Sequence, residues 1–158
     1  IYQTPASFSE QTICIAGWVR TVRASNAFGF IELNDGSCFK GIQIVMEADK
    51  LPNYAEAAKI NVGAAIIVTG RLVLTPDAPQ PFELKADTLA IEGASTPDYP
   101  LQKKKHSMEY LRTIAHLRAR TNTFSAAFRV RSLPYAELHQ SPASSRGTFR
   151  LHLRSRCP

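Results

Sequence analysis

The first part of the chain alternates apolar and polar residues in short runs. Five of these runs are rich in Ile, Val, Phe and Thr and are separated by turn-forming residues, which is typical of β-strands that bury one face. The predicted strands are residues 12–20, 27–34, 38–46, 64–75 and 82–92. Between the third and fourth strands, the segment LPNYAEAAKI predicts one short helix with Asn53 as its N-cap.

This order of elements predicts an all-β fold. It is the order of a five-stranded Greek-key OB-fold barrel with a short helix between strands 3 and 4, here followed by C-terminal helices. In that fold, oligonucleotides bind to the face of strands 2 and 3 and to the loops after strands 1 and 4. The side chains on this face are therefore the first candidates for a binding site.

The second strand, FGFIELN, places two phenylalanines on the outer face of the barrel. Successive side chains of a strand point to opposite faces. If Ile31 and Leu33 lie in the core, Phe28 and Phe30 must face outward. Trp18, on the first strand, is instead predicted to be a core residue because large aromatic residues of small barrels are commonly buried.

The third strand predicts an aromatic and polar surface beside these rings. Its core positions are the isoleucines, which leaves Phe39, Gly41, Gln43 and Val45 facing outward. Aromatic rings next to an amide can stack on an unpaired base and read its edge. For Phe28 and Phe39, base contact and packing beneath a loop or the following segment are equally open.

After residue 93 the pattern changes. GASTPDYP is typical of a linker, and the two segments LQKKKHSMEYLRTIAHLRART and TNTFSAAFRVRS predict helices, the second capped by Asn122 or Thr123. The predicted organisation is a barrel domain at 1–93, a hinge and helical lead-in to a second, missing domain at 94–132, and a divergent tail at 133–158. We expect that tail to be disordered.

Charge is unevenly distributed along the chain. The 158 residues carry a formal net charge of +6, but residues 1–100 contain 7 Lys and Arg against 11 Asp and Glu. A mildly acidic barrel favours a local nucleic-acid site over a broad basic surface. The basic run of Lys103, Lys104 and Lys105 either is solvated or contacts phosphates without reading sequence.

Other chemistries find little support in the sequence. No paired carboxylates or Ser–His–Asp set stands out, and the three cysteines lack CxxC spacing, so no catalytic residue and no metal site is predicted. The first residues, IYQTPASFSE, lack the pattern of a signal peptide, and no run is apolar enough to span a membrane. We therefore expect a cytoplasmic protein.

Three segments resemble the asparaginyl-tRNA synthetases, class II ligases with an N-terminal OB-fold anticodon-binding domain. They are GWVRTVRASNAFGFIELNDGSCFKGIQ, GRLVLTP with PFELKADTLAIEG, and YPLQKKKHSMEYLRTIAHLRARTNTFSAAFRVRS. The first is similar also to aspartyl and lysyl relatives, whereas the third resembles the asparaginyl hinge. The resemblance implies a tRNA anticodon recognition module from an enzyme that attaches asparagine to its tRNA by using ATP.

The resemblance also implies roles for four residues in reading a GUU anticodon. Phe30 matches the ring that stacks on the central anticodon base, and Gln43 matches the amide that hydrogen-bonds to that base. Arg23 matches an arginine near the first two anticodon nucleotides, and Glu83 matches the carboxylate that reads the first base.

The resemblance covers about residues 12–132. The family continues into a catalytic domain that holds ATP and Mg²⁺, and those motifs are absent from this sequence. The chain alone is therefore expected to hold no cofactor and to be inactive. The family is homodimeric, largely through that domain, so the oligomeric state of the chain is open. Two alternative functions also stay open: a general single-stranded nucleic-acid-binding OB protein, and a protein-interaction OB module.

Overall fold

A computed structural model describes the backbone of residues 1–139 and the side chains of residues 1–132. The strands are β1 (Thr12–Ala24), β2 (Phe28–Asn34), β3 (Ile42–Glu47), β4 (Ala65–Leu74) and β5 (Phe82–Gly93). The α-helices are α1 (Tyr54–Ala57), α2 (Met108–Thr113) and α3 (Asn122–His139), with 3-10 turns at Pro5–Phe8 and Arg118–Arg120. Because α3 continues to His139, the first residues of the predicted tail are helical, and its remainder lies outside the described residues.

The five strands close into a barrel in the order β1-β2-β3-β5-β4. Neighbouring strands run antiparallel except at β3 and β5, which pair in parallel over the three pairs from Gln43↔Glu83 to Val45↔Lys85. This parallel seam is the shortest pairing of the barrel. The predicted five-stranded OB-fold with a helix between strands 3 and 4 is confirmed.

The core follows the alternation of the strands. Ile31 and Leu33 are buried, as the pattern of β2 predicts. The prediction that Trp18 lies in the core is wrong, because its side chain is 40% exposed while its neighbour Val19 is 1% exposed. Strand parity places Val19 inward and therefore Trp18 outward, whatever the size of the ring.

A β-bulge in β1 changes which residues face outward. The register with β2 shifts between Val19 and Thr21, so that Thr21 pairs with Glu32 and Arg23 pairs with Phe30. Strict alternation from Val19 would turn Arg23 inward. The extra residue of the bulge reverses the parity and brings Arg23 to the outer face beside Phe30.

Two local predictions need correction. Strand β3 begins at Ile42, so Phe39 and Gly41 belong to the loop before it. Asn53 does not cap α1 with its side chain; its Nδ2 donates to the carbonyl of Leu89 at 2.8 Å and so ties the helix start to β5.

The segment after β5 packs against the barrel. Asn61 donates to the carbonyl of Ser95 at 2.9 Å, and a Cβ on Gly63 would lie 2.7 Å from the ring of Tyr99. The φ of Gly63 is +88°, which favours glycine at this contact. The chain accordingly divides after Lys104, and the first compact unit is Ile1–Lys104.

The helices of the second unit differ in length from the segments that predict them, α2 being shorter and α3 longer. Ser107 caps α2 by accepting from the Tyr110 amide at 3.2 Å. The helix ends at Thr113, because the next residue, Ile114, has a φ of −108° and a ψ of 51°. Thr121 precedes α3, and its Oγ1 accepts from the Phe124 amide at 3.4 Å. The predicted cap positions Asn122 and Thr123 are the first two residues of the helix. Within the described part of the chain, no helix is long and apolar enough to cross a membrane.

Candidate nucleic-acid interface

A row of four polar side chains crosses the outer face of the barrel. Thr21 on β1 pairs with Glu32 on β2, Glu32 pairs with Gln43 on β3, and Gln43 pairs with Glu83 on β5. Thr21 Oγ1 lies 3.5 Å from Glu32 Oε2, and Gln43 Nε2 donates to Glu83 Oε1 at 2.7 Å. The barrel thus assembles hydrogen-bonding groups from four strands into one line.

A second row, two residues further along each strand, carries the aromatic and basic groups. Arg23 pairs with Phe30, Phe30 with Val45, and Val45 with Lys85. Phe30 is 41% exposed, whereas Val45 is only 8% exposed although it has the outward parity. The second row therefore presents an exposed ring between two cationic side chains.

Loops and the chain ends of the first unit turn this face into a groove of about 660 Å³. Phe39 reaches it from the loop before β3, and Pro79 and Pro81 reach it from the loop between β4 and β5. Lys103 contributes a cation from the segment after β5, and Tyr2 lines the groove from the N-terminal segment. The groove therefore combines apolar walls, a polar row and cations, which is a suitable environment for single-stranded nucleic acid.

Tyr2 stabilises one wall of the groove. Its hydroxyl donates to the carbonyl of Gly41 at 2.7 Å, and its ring lies 4.7 Å from that of Phe82. Burial, followed by the charges of Cys38 and Glu32, raises the pKa of the Tyr2 phenol. The hydroxyl thus remains a hydrogen-bond donor over the whole neutral range.

The groove brings together five of the residues predicted from the sequence, namely Arg23, Phe30, Phe39, Gln43 and Lys103. Glu83 adjoins it through its hydrogen bond to Gln43. Phe28 does not line it; this ring is 51% exposed and belongs to the next row, where Phe28 pairs with Glu47. Lys104 is exposed but does not line it either, and Lys105 is an exposed residue of the second unit.

Comparison with known proteins bears on what this groove does. The family model for tRNA anticodon domains, described as an OB-fold nucleic acid binding domain, matches residues 13–91, which contain nearly all of the five barrel strands. The chain belongs to this family. As an OB-fold nucleic acid binding domain, it carries its rings and its polar row on the β2–β3 face that this fold uses for oligonucleotides.

The chain is also similar to curated proteins. It is 66% identical over 140 residues to an asparagine–tRNA ligase of Acetivibrio thermocellus and 54% identical over 140 residues to one of Clostridium perfringens. In both cases the match covers 89% of this chain and 30% of the relative. The chain therefore spans less than a third of the length of these ligases.

Solved structures support the fold. Asparaginyl-tRNA synthetase from Pyrococcus horikoshii superposes with a TM-score of 0.71 at 23% identity, covering 80% of this chain and 30% of that one. An aspartyl tRNA synthetase from Entamoeba histolytica gives a TM-score of 0.73 at 19% identity, covering 97% and 39%. At these identities the likeness shows a shared fold.

Several residues of the two rows and the groove were not selected as candidates from the sequence, among them Thr21, Glu32, Lys85 and Gln80. Glu32 and Lys85 could have been found by extending the two outward rows across the sheet. Gln80 could not, because it lies in the loop between β4 and β5, where periodicity gives no signal. Its Nε2 donates to Gln43 Oε1.

Metal binding has no visible site in the described part of the domain. Among these residues, no group of three or more His, Cys, Asp or Glu side chains is arranged to hold a metal ion. The polar groups of the groove hydrogen-bond to one another instead.

Proposed function

We propose that the chain is the anticodon-binding module of an asparagine–tRNA ligase and that its groove binds the anticodon loop of the tRNA. The observation that carries the proposal is the exposed ring of Phe30 at the centre of the β2–β3 face, next to the buried Ile31. Stacking of an unpaired base on such a ring contributes about 1–3 kcal/mol.

The polar row supports a role in reading sequence. Gln43 and Glu83 are hydrogen-bonded to each other and lie on the strands that flank the seam, close to the row of Phe30. Amides and carboxylates can hydrogen-bond to the Watson–Crick edge of a base that is splayed out of its stack. For a GUU anticodon, we assign Phe30 and Gln43 to the central base, Glu83 to the first base, and Arg23 to the first two nucleotides.

The cations around the groove are suited to binding the phosphates of the RNA. Arg23, Lys85 and Lys103 are exposed and close to the ring or the groove wall. Because the first 100 residues contain more acidic than basic side chains, phosphate binding would depend on these few cations. Each neutralised phosphate adds to the salt dependence of binding, so we expect a shallow dependence compared with that of a broadly basic protein.

The activity of the longer protein follows from its relatives. We infer that the full ligase attaches asparagine to its tRNA in the cytoplasm and acts as a homodimer. ATP and Mg²⁺ would be held by the part of the ligase that is not contained in these 158 residues. The described residues supply the recognition of the tRNA and not the chemistry.

The test is a titration of the chain with RNA stem-loops. We expect a loop with the GUU anticodon to bind at least about tenfold more tightly than a CUU loop, because a hydrogen bond to a charged group contributes about 1.5–3 kcal/mol. Equal binding of the two loops would favour the general single-stranded nucleic-acid-binding protein. Failure to bind either loop would favour the protein-interaction module.

A further inference from the structure

Gln80 extends the hydrogen-bonded pair at the seam into a chain of three side chains. Its Nε2 donates to Gln43 Oε1, and Gln43 Nε2 donates to Glu83 Oε1 at 2.7 Å. All three side chains are partly buried, and they come from a loop and two strands. Both ends of the Gln43 amide are therefore engaged before any ligand arrives.

The charge of Glu83 decides which group donates and which accepts in both hydrogen bonds of these three side chains. A carboxylate only accepts hydrogen bonds, whereas an amide has one donating and one accepting end. The NH₂ group of Gln43 must therefore face Glu83, and its carbonyl must face Gln80. Gln80 in turn must donate, so a single arrangement of the two amides satisfies every bond.

The loop that carries Gln80 is constrained by two prolines and by two hydrogen bonds to Thr75. Gln80 lies between Pro79 and Pro81, whose rings fix the backbone φ. The amide of Thr75 donates to the carbonyl of Pro81 at 3.0 Å, and Thr75 Oγ1 donates to the carbonyl of Gln80 at 2.8 Å. These hydrogen bonds fix the backbone position of Gln80, so that its side chain can fix the position of the Gln43 amide.

We propose that Gln80 is a positioning residue that fixes the direction of the Gln43 amide and thereby makes the groove select uracil over cytosine at the central anticodon position. This inference rests on the proposed function. Uracil offers a donor at N3 and an acceptor at O4, and cytosine offers the reverse, an acceptor at N3 and a donor at N4. An amide of fixed direction complements only one order, whereas an amide that can turn by 180° complements both.

The experiment compares GUU and GCU stem-loops on wild-type protein and on Gln80→Met, which keeps the length of the side chain but removes its donor. We expect the preference for GUU over GCU to fall roughly fivefold, the effect of losing one typical hydrogen bond. The melting temperature should not change. Gln11→Met is the matched control, because the amide of Gln11 bonds only to the carbonyl of Ser7 in the described structure; its preference should equal that of wild type.

Two further variants separate positioning from direct contact. Gln80→Lys keeps a donor and should restore the preference for GUU, while its added charge strengthens the binding of both loops. In a Gln43→Met background, Gln80→Met should have no further effect on the preference, because there is no amide left to position. An equal loss of affinity for GUU and GCU in Gln80→Met would show that Gln80 contacts the RNA itself, and would overturn the proposal.

A measurement without RNA completes the test. The side-chain NH₂ signals of Gln43 in a ¹⁵N–¹H spectrum should shift in Gln80→Met and stay unchanged in Gln11→Met. Unchanged Gln43 signals in both variants would overturn the proposal even if the function is correct. Wild-type protein that binds neither stem-loop would instead overturn the proposed function, and this inference with it.

Discussion

Phe30 and Phe82 are two rings of one barrel with opposite surroundings. Phe82 is 1% exposed and packs against Tyr2, whereas Phe30 is 41% exposed on the outer face. Removing a buried ring leaves a cavity, and removing an exposed ring leaves solvent. Substitutions at these two residues therefore distinguish an effect on the stability of the barrel from an effect on the binding of RNA.

Phe30→Ala should weaken the binding of a GUU stem-loop by about 1–3 kcal/mol, because it removes the stacking surface. Its thermal melt should remain close to that of wild type. Phe82→Ala is the matched control and should lower the free energy of unfolding by about 3–5 kcal/mol. Titrations and melts of both variants test this, and a large fall in the melting temperature of Phe30→Ala would contradict it.

Glu83→Gln should reduce discrimination more than affinity. The substitution removes the charge that we propose reads the first base, and it adds a donor. The preference for GUU over CUU should therefore fall about tenfold, the effect of losing one charge-assisted hydrogen bond. Asp87→Asn, on an exposed position of the same strand, is the control and should retain the preference. If both substitutions change it equally, the effect is one of net charge and not of recognition.

At the residue scale, parity is a reliable guide within regular strands and fails for Arg23, beyond the bulge in β1. It predicted the exposure of Phe30 because Ile31 and Leu33 define the core side of β2. Trp18 was assigned by its size, against the parity of Val19, and that prediction was wrong. Strand parity gives no prediction for Gln80, because its position depends on the fold of a proline-rich loop.

At the scale of elements, glycines mark where backbones approach or turn. Gly70 on β4 lies opposite Ala86 at a register shift, and a Cβ there would collide with the carbonyl of Lys85. Gly36 lies in the open turn after β2 with a φ of +84°, where a Cβ would meet nothing within 4 Å. The first position is constrained by packing, and the second is constrained by its backbone conformation alone.

Gly70→Ala should therefore destabilise the barrel more than Gly36→Ala. A left-handed alanine costs roughly 1–2 kcal/mol, while a collision with a strand backbone costs at least the 1–3 kcal/mol typical of overpacking and also weakens the β4–β5 pairing. Urea unfolding of the two variants measures the difference. The opposite order of stabilities would show that β5 can move away from Gly70 at little cost.

The presence of each strand and helix was easier to predict than the residues at which it begins and ends. The alternation of apolar residues identified all five strands, but strand β1 extends to Ala24 through a bulge that no periodic pattern contains. The predicted helix beginning near Met108 ends early, because Ile114 leaves the helical conformation. The linker after Gly93 has the composition of a loop, yet Tyr99 packs on Gly63, a contact between distant residues that local sequence does not reveal.

At the scale of the whole molecule, the proposed function separates recognition of the tRNA from the chemistry of the ligase. The chain spans 30% of the ligases that it matches. Under the proposed function, ATP is held by a part of the ligase outside these 158 residues. The proposed role therefore concerns binding by the barrel and leaves adenylate formation to other parts of the ligase.

The purified chain should accordingly show no asparagine-dependent exchange of pyrophosphate into ATP. A full-length asparagine–tRNA ligase assayed in parallel serves as the positive control. Exchange above background, in a preparation free of host synthetase, would mean that these residues contain an ATP site of their own.

The short parallel seam between β3 and β5 should link the proposed recognition of RNA to local opening of the barrel. Gln43 and Glu83 lie on opposite sides of the seam. An RNA that contacts both side chains therefore holds β3 and β5 together at the shortest strand pairing of the barrel. Binding only to the closed form suppresses local opening by RT ln(1 + [L]/Kd). Backbone amides of residues 43–45 and 83–85 should then exchange with deuterium more slowly in the complex, with little change at the longer β1–β4 pairing. The bases of the tRNA would, in effect, complete the hydrogen bonding of the barrel wall.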